Sequence, residues 1–455
     1  MKRLILISTV FILCVSTSLV ASQIPGSQYY YLGNGISYFP LGASGVSYFM
    51  TMDANLYNPA AYADTKRITT DLSVGGLGGS NLLLNARGSF PTSYGVITGN
   101  FLMLNSPDGL TAGDVYGIKA TFSKAISEEW LFGAGINLGY AEGPEQDLLA
   151  SLDIGTIYRK SMDGTGFGLF DYSVGGAVKN LGKNISYAGY DSFPPLAVDI
   201  GGNLEFVRAG FYKARFGTHF MVPFNPFNFF LGFGLENVFF DMVNVKLGVN
   251  LGIEEIDPLS FGVDVNFTIK DTDLQVSYSL MPTNFNGSKE YTHNAGISVA
   301  FGNYDTKPPK SEVGVEDVYF SPNHDGVRDK EVFNLDISDN TMVFGWELDI
   351  TDEGGKPIKS YAAEDVRKIR YMTIGKYLSR IFAKKEEVKI PKAVEWDGED
   401  SEGAVVPDGV YYFTLTAWDE NNNKTTTEKK KVIVDTVVPL VHAESDLLLL
   451  SLIHI

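Results

Sequence analysis

The sequence predicts an all-β protein, in which a transmembrane β-barrel of roughly fourteen antiparallel strands is followed by an Ig-like β-sandwich. Two neighbouring stretches support the barrel most directly. From Val243 to Ile253, and again from Leu259 to Lys270, apolar residues alternate with polar or small ones. A period of two places successive side chains on opposite faces of a strand. Each stretch has about the 9–11 residues that a tilted strand needs to cross a bilayer, and the strands of a soluble sandwich are usually shorter.

The composition agrees with this fold and argues against some functions. The 455 residues include 48 Gly, 30 Phe and 24 Tyr, a content that suits a barrel with aromatic girdles at both membrane interfaces. The net charge of −18 argues against nucleic-acid binding, which requires a basic surface. The five His residues stand singly in different segments, without the spacing of a metal site or a catalytic triad. We therefore expect no enzyme activity and no resident cofactor.

Residues 1–21 have the features of a secretory signal peptide. Lys2 and Arg3 precede an apolar core of about 12 residues, too short to span a bilayer, and Ala21 is a small residue suited to cleavage. Cys14 is the only cysteine, so the mature chain has no thiol for a disulfide or a nucleophile. No later apolar run is long enough for a membrane-spanning helix, so strands must cross the membrane. This predicts a bacterial outer-membrane location.

Residues 22–66, which precede the first predicted strand, show no sustained alternation. Asp53 is placed to cap a short helix, and Pro59 is expected to end it near Tyr57, because the residue before a proline avoids the α conformation. On local chemistry alone, this segment is a helical turn that leads into the first strand.

Alternating segments fill residues 67–302, and their number is even, as it is in bacterial single-chain barrels. The predicted strands begin near Arg67, Leu82, Tyr94, Val115, Trp130, Leu149, Leu169, Leu196, Ala209, Asn228, Met242, Pro258, Asp273 and Thr292. Polar residues opposite the apolar positions are expected to face the lumen, where charges are more often solvated or paired than part of a ligand site. They are Lys119, Asp171, Lys179, Lys246, Asp264, Asn266 and Lys270.

Two motifs in this region carry a family resemblance. The segment Leu56–Ala60, with its Asn-Pro-Ala sequence, resembles the signature of the FadL-like long-chain fatty-acid transporter superfamily, although Ala61 replaces the usual following glycine. Val178–Gly182, followed by Phe193–Leu196, resembles the PorV-type and spirochaete branches of that superfamily. The resemblance implies a fourteen-stranded barrel whose N-terminal segment, residues 22–66, folds into the lumen as a hatch. It also implies that Asn58, Pro59 and Ala60 form the hatch and contact the ligand.

The character of the chain changes at residue 303, where a polar linker, residues 303–314, leads into the predicted Ig-like sandwich of residues 315–439. Three motifs of this region resemble the Ig-like domain of the flagellar hook-capping protein. They are Trp396–Gly398, Asp408–Tyr411 and Asp435–Pro439. The resemblance implies a domain for attachment, and the fold alone does not fix a partner.

Three further features of this region have two interpretations each. Asn323, Asp325 and Asp329 alternate around a glycine in the manner of calcium ligands, and the alternative is a plain Asx turn. Residues 364–389 form a basic insertion with helical spacing, either a membrane- or partner-binding helix or one packed on the sandwich with a solvated face. The tail, residues 440–455, is either a final strand or a segment outside any fold.

The leading functional hypothesis is passive uptake of small hydrophobic molecules, such as long-chain fatty acids, through the barrel, with the sandwich as a docking module. An even number of strands places both ends of the barrel, and hence the sandwich, in the periplasm. The expected partners are outer-membrane lipid, a periplasmic or envelope protein, and the barrel assembly machinery, which reads a closing strand that ends in an aromatic such as Phe301. One alternative is a non-transporting scaffold of PorV type, and another is a soluble secreted all-β adhesin.

Overall fold

The structure, a computed structural model, falls into two units. One unit comprises Met1–Tyr304 with Ile369–Lys385, and the other Asp305–Lys368 with Glu386–Ile455. The described residues are 39–41, 44–48, 53–76, 79–105, 107, 114–142, 147–182, 185–187, 190–192, 196–224, 227, 229–252, 259–285, 288–301, 305, 307–364, 375, 379–381, 383–384 and 387–437. The predicted signal peptide and the tail lie outside these residues, as does most of the basic insertion.

The first unit is a closed antiparallel barrel of fourteen strands, which confirms the predicted architecture of this region. The ring closes where β1 pairs with β17 and Ile68 lies opposite Phe301. The barrel strands are β1 (Ile68–Gly76), β2 (Leu82–Pro91), β3 (Val96–Asn105), β4 (Val115–Ala125), β5 (Trp130–Ala141), β6 (Asp147–Ser161), β8 (Asp171–Gly182), β11 (Ala197–Ala209), β12 (Tyr212–Pro223), β13 (Phe230–Phe239), β14 (Val243–Gly252), β15 (Ser260–Ile269), β16 (Thr272–Phe285) and β17 (Ser288–Phe301). The short strand β7 (Gly166–Phe167) pairs with β11, and β9 (Ile185–Tyr187) pairs with β10 (Tyr190–Ser192).

Strand β5 shows why the sequence folds into a ring with two different faces. Its outward positions include Trp130, Ile136, Leu138 and Tyr140, and Ile136 and Leu138 are 53% and 46% exposed in the isolated chain. Trp130 and Tyr140 lie ten positions apart on this face, about 33 Å along a strand at about 3.3 Å per residue. With a tilt of about 40°, that length spans about 25 Å, the height of the apolar band of a membrane barrel. The apolar face is therefore bounded by aromatic residues at the spacing that a bilayer requires.

The two ends of the barrel differ in the length of their connections. One end carries tight turns, among them Gly210–Phe211, Phe240–Met242 and Lys270–Asp271. We call this the short-turn end, and both the start of β1 and the end of β17 lie there. The chain therefore enters and leaves the barrel at the same end. Among the described residues, no helix is both long and apolar enough to cross a membrane.

Short helical elements precede the barrel strands. They are three 3₁₀ helices, Phe39–Leu41, Ser44–Ser47 and Pro59–Tyr62, and the α-helix α1, Ala54–Tyr57. Helix α1 ends at Tyr57, as the proline at position 59 predicts. Asp53 occupies the N-cap position but makes no capping hydrogen bond, so the predicted capping role was wrong. Its carboxylate pairs with Arg87 of the barrel wall instead.

The second unit consists of two sheets around one apolar core. Its strands are β18 (Lys310–Val315), β19 (Tyr319–Phe320), β20 (Glu331–Ser338), β21 (Val343–Thr351), β22 (Pro357–Glu364), β23 (Ala393–Trp396), β24 (Gly409–Asp419), β25 (Lys424–Thr426) and β26 (Lys430–Val434). One sheet has the order β18-β20-β23, and the other the order β19-β26-β24-β21-β22, with β25 on β24. Strand β18 begins at Lys310, inside the segment predicted as a linker, because residues 310–315 pair with β20.

Trp396 is the largest fully buried side chain in the core of this unit, and its replacement is expected to destabilise the unit strongly. Trp396 is 0% exposed and its ring packs against Phe320 and Tyr411, at centroid distances of 5.2 and 5.5 Å. We expect Trp396→Ala to lower the free energy of unfolding of this unit by about 3–5 kcal/mol. Urea unfolding followed by pulse proteolysis of the full chain measures this value. Val437→Ala, at a position 72% exposed, is the control. An equal effect of both substitutions would contradict the conclusion that Trp396 stabilises the core of this unit.

Candidate functional site

The described residues that precede β1 lie inside the barrel and form the candidate site together with the wall around them. We call these residues, 39–41, 44–48 and 53–66, the hatch. Hatch residues such as Leu41, Val46 and Ala60 form one buried cluster with Leu131 and Ile157 of the wall. The hatch thus has its own apolar core, which is completed by inward-facing wall residues.

Asn58 is the best connected of the three residues that the resemblance singles out. Its side chain is fully buried, and its Nδ2 donates toward the carbonyl oxygens of Val46 at 2.8 Å, Thr156 at 3.1 Å and Gly176 at 3.3 Å. Its Oδ1 accepts a hydrogen bond from the Ala60 backbone N–H at 3.0 Å. Thr156 and Gly176 belong to β6 and β8, so one amide joins two parts of the hatch to two strands.

Pro59 and Ala60 contact the wall through the backbone. The Ser123 hydroxyl donates to the Pro59 carbonyl oxygen at 2.7 Å, and a Cβ built on Gly133 would overlap the Pro59 carbonyl group and the Ala60 nitrogen. The structure therefore brings Asn58, Pro59 and Ala60 together at the contact between hatch and wall.

Glycines form the wall surface against which the hatch rests. A Cβ at any of seven wall glycines would meet hatch atoms more closely than real side chains pack. Each of these glycines lies on a different strand, and we call them the glycine socket. They are Gly133, Gly155, Gly175, Gly201, Gly217, Gly234 and Gly262. Sequence analysis missed this socket, although glycine recurs at inward-facing positions of the alternating strands.

Two ion pairs join hatch residues 53–66 to the barrel wall, one near each end of this stretch. Arg87 of β2 is buried and pairs with Asp53 of the hatch, and its guanidinium lies 2.9 Å from the carboxylate of Asp71 in β1. Asp64 accepts a hydrogen bond from Arg159 of β6 at 2.7 Å. Removing one partner of a buried ion pair is strongly destabilising, so the Arg87–Asp53 contact restricts hatch movement. The Arg159–Asp64 pair is partly exposed and adds a weaker restraint.

The predicted lumen-facing charges occupy the wall, and most are paired across strands. Lys119 donates to Asp153 at 2.7 Å, and Lys246 pairs with Asp264. These four residues are at most 7% exposed. Lys270 lies instead in the exposed turn between β15 and β16, where the alternation of β15 has ended.

The other polar residues predicted to face the lumen have varied surroundings. Lys179 contacts Asp199 at 3.2 Å, and Asp199 also meets the Nδ1 of the buried His219 at 3.2 Å. Asp171 pairs with Arg208 at 2.7 Å. Asn266 is half-buried. The wall thus holds cations that are already matched with carboxylates.

The loop of the predicted calcium ligands lies in the second unit, and its oxygen atoms accept hydrogen bonds from the loop itself. Asp329 accepts from the backbone N–H groups of His324 and Gly326, at 2.7 and 2.8 Å. Asp325 accepts from the Val327 N–H at 2.8 Å and from the Asn323 side chain at 3.0 Å. These contacts favour the Asx-turn interpretation. Calcium binding stays a prediction.

A different acidic group was not found by sequence analysis. Carboxylate oxygens of Asp305, Asp339 and Asp419 lie within 4.8 Å of one another. Asp419 accepts hydrogen bonds from the backbone N–H groups of Asn421 and Asn423, both at 2.8 Å. These residues are 34 and 80 positions apart in sequence, so only the folded chain brings them together.

Comparison with known proteins gives only distant structural similarity. No family model matches the sequence, and no curated protein does. The toluene transporter TbuX of Ralstonia pickettii has a TM-score of 0.39 and 9% identity, over 59% of this chain and 98% of that one. A TodX monoaromatic hydrocarbon channel mutant has a TM-score of 0.41 and 9% identity, over 58% and 98% of the two chains. The NanC porin has a TM-score of 0.30 and 10% identity, over 52% and 99%. At these scores, similarity assigns neither family nor activity.

Proposed function

We propose that the protein is an outer-membrane β-barrel of the FadL-like type, through which small hydrophobic molecules pass by diffusion. The observation that carries this proposal is the closed ring of fourteen strands, apolar on the outside and filled by the hatch on the inside. A closed ring is the one sheet that leaves no unpaired edge in lipid, and the aromatic residues that bound β5 fit the height of a bilayer.

The pairing of the wall cations favours neutral ligands over fatty-acid anions. Lys119, Lys179 and Lys246 each contact a wall carboxylate. A fatty-acid carboxylate would have to displace one of these partners and leave it unpaired, which is costly in a buried site. A neutral hydrophobic molecule requires no such exchange.

A matched pair of ligands tests the proposal. We expect the full chain, refolded in detergent and showing heat-modifiable migration, to bind a labelled long-chain fatty alcohol saturably. The fatty acid of equal chain length should bind on the order of tenfold more weakly, because its carboxylate disrupts one charge pair of the wall and so makes the binding free energy less favourable. Equilibrium dialysis measures both affinities. A heat-modifiable barrel that binds neither ligand would contradict uptake, and equal affinities would contradict the preference for neutral molecules.

The glycine socket favours a second candidate function, a scaffold of PorV type that does not transport. Wall glycines such as Gly133 and Gly175 leave no room between wall and hatch backbone, as expected of a permanently plugged barrel. A scaffold would be heat-modifiable and would bind neither the alcohol nor the acid.

We further propose that the second unit is an Ig-like docking domain in the periplasm. The Tyr411 hydroxyl donates to the Pro407 carbonyl oxygen at 2.7 Å, four residues upstream, in the manner of the tyrosine corner of such domains. Trp396 packs beside it in the core. Because the chain leaves the barrel at the short-turn end, which is periplasmic in bacterial barrels, a partner is expected among periplasmic or envelope proteins.

A further inference from the structure

The basic insertion contains described residues that contact the barrel. Ser379–Ile381 and Ala383–Lys384 fall in the barrel unit, although the insertion leaves the second unit after β22 and rejoins it before β23. We propose that residues 379–381 and 383–384, which we call the tether, hold the β4–β5 turn (residues 126–129) of the barrel and, through this turn, the hatch. The proposal applies whether or not the barrel passes ligands.

Two reciprocal hydrogen bonds join the tether to the end of β4. Arg380 donates from Nη1 to the Ile126 carbonyl oxygen at 3.4 Å, and Lys124 donates from Nζ to the Ala383 carbonyl oxygen. In each bond the donor carries a formal positive charge and the acceptor is a backbone carbonyl oxygen. Ile381 of the tether and Ile126 of the turn are both buried, at 5% and 1% exposure.

Residues that flank the same turn contact the hatch. Ala125 and Leu131, which flank the turn, belong to the buried cluster that contains Ala60 of the hatch. Ser123, two residues before the end of β4, donates its hydroxyl to the Pro59 carbonyl oxygen at 2.7 Å. The turn therefore packs directly against the hatch residues that follow Asn58.

Arg159 of β6 forms a second connection between the turn and the hatch. Its Nε donates to the Glu128 carbonyl oxygen in the turn at 2.9 Å, and its Nη2 donates to Asp64 of the hatch at 2.7 Å. Its backbone N–H donates to the Glu129 carbonyl oxygen at 2.8 Å. One side chain thus joins the turn to the point where the hatch leads into β1.

These contacts give the tether a function. Both ends of the insertion are covalently joined to the second unit, and the tether holds a turn that supports the hatch. Binding to the second unit that strains the insertion would therefore loosen the hatch, although nothing enters the lumen.

Hydrogen exchange in the full chain tests the tether. We expect the double variant Lys124→Ala/Arg380→Ala, refolded in detergent, to exchange the amides of residues 53–64 about tenfold faster than the parent, since both charged donors are lost. Heat-modifiable migration should be retained. Lys384→Ala, at an exposed neighbouring position, is the control and should leave exchange unchanged.

The single variant Arg380→Ala provides a second test, which can be used even if loss of Lys124 impairs folding of the barrel. Arg380 lies outside the barrel strands, so Arg380→Ala leaves every strand of the ring unchanged while it removes the contact with Ile126, and we expect exchange about threefold faster. Parental exchange in this variant, or equal acceleration in Lys384→Ala, overturns the proposal. Because exchange is measured without ligand, a failure of the tether is distinct from a failure of hydrophobic uptake.

Discussion

Replacing Gly175 by valine is expected to expel the hatch and to open the barrel. A Cβ at this position would overlap the Val46 carbonyl oxygen and the Ser47 Cα, both of which are backbone atoms of the hatch. A flexible side chain could relieve this overlap by changing its rotamer, but backbone atoms cannot. The hatch must therefore move as a whole. In planar bilayers we expect the single-channel conductance to rise on the order of tenfold, since an unplugged ring of this size exceeds the diameter that side chains alone fill.

The next residue provides the control. Gly176 points to the opposite face, and a Cβ there would meet only the Asp199 carbonyl oxygen, at 3.9 Å. Gly176→Val has the same added volume and the same strand context, and we expect it to conduct like the parent. Equal conductance of the two variants would show that the hatch does not close the pore through the glycine socket.

Asn58→Asp is expected to have the largest effect of any substitution of similar size in the hatch. The substitution replaces the Nδ2 donor by a carboxylate oxygen that faces the carbonyl oxygens of Val46, Thr156 and Gly176. A buried anion surrounded by acceptors is unfavourable, and we expect the hatch contact to lose about 3–5 kcal/mol. Asn58→Ala removes the donor without adding charge and should cost about 1–3 kcal/mol.

The order of the two variants is the measurable outcome. Exposure of the hatch can be followed as the rate of proteolysis within residues 53–66, under conditions where the heat-modifiable barrel remains folded. The rate should rise from the parent to Asn58→Ala and further to Asn58→Asp. If the aspartate variant were as resistant as the parent, the three carbonyl contacts would not hold the hatch.

The barrel could be predicted from the sequence because its strands have an apolar outer face and a mixed inner face. Outward positions such as Ile136 and Leu138 are apolar and exposed, whereas inward positions are small or polar as often as apolar, so the alternation marks the strands. The predicted start at Val115 is the observed one, and that at Leu149 lies two residues after the observed start. Lys270 was assigned to the lumen because alternation alone does not show where a strand gives way to its turn.

The contacts inside the barrel were harder to predict from the sequence than the strands. Lys119 and Asp153 pair across strands from positions 34 residues apart, and their meeting depends on register and strand tilt. Asp53 looks like a helix cap because its partner, Arg87, is equally distant in sequence. Asn58 was found only through a family resemblance, since its three acceptors are backbone carbonyls that carry no sequence signal. Inward glycines indicate a close approach without indicating which segment approaches.

The position of the hatch within a ring sealed by β1 and β17 has a consequence for biogenesis. The hatch is made before any wall strand, and it touches strands from β5 to β15 through the glycine socket. The hatch can therefore act as a template that sets the relative positions of these strands as they pair. The last event would then be the meeting of Ile68 with Phe301, which seals the ring around an interior that is already filled. Assembly in this order would never produce an empty, open ring.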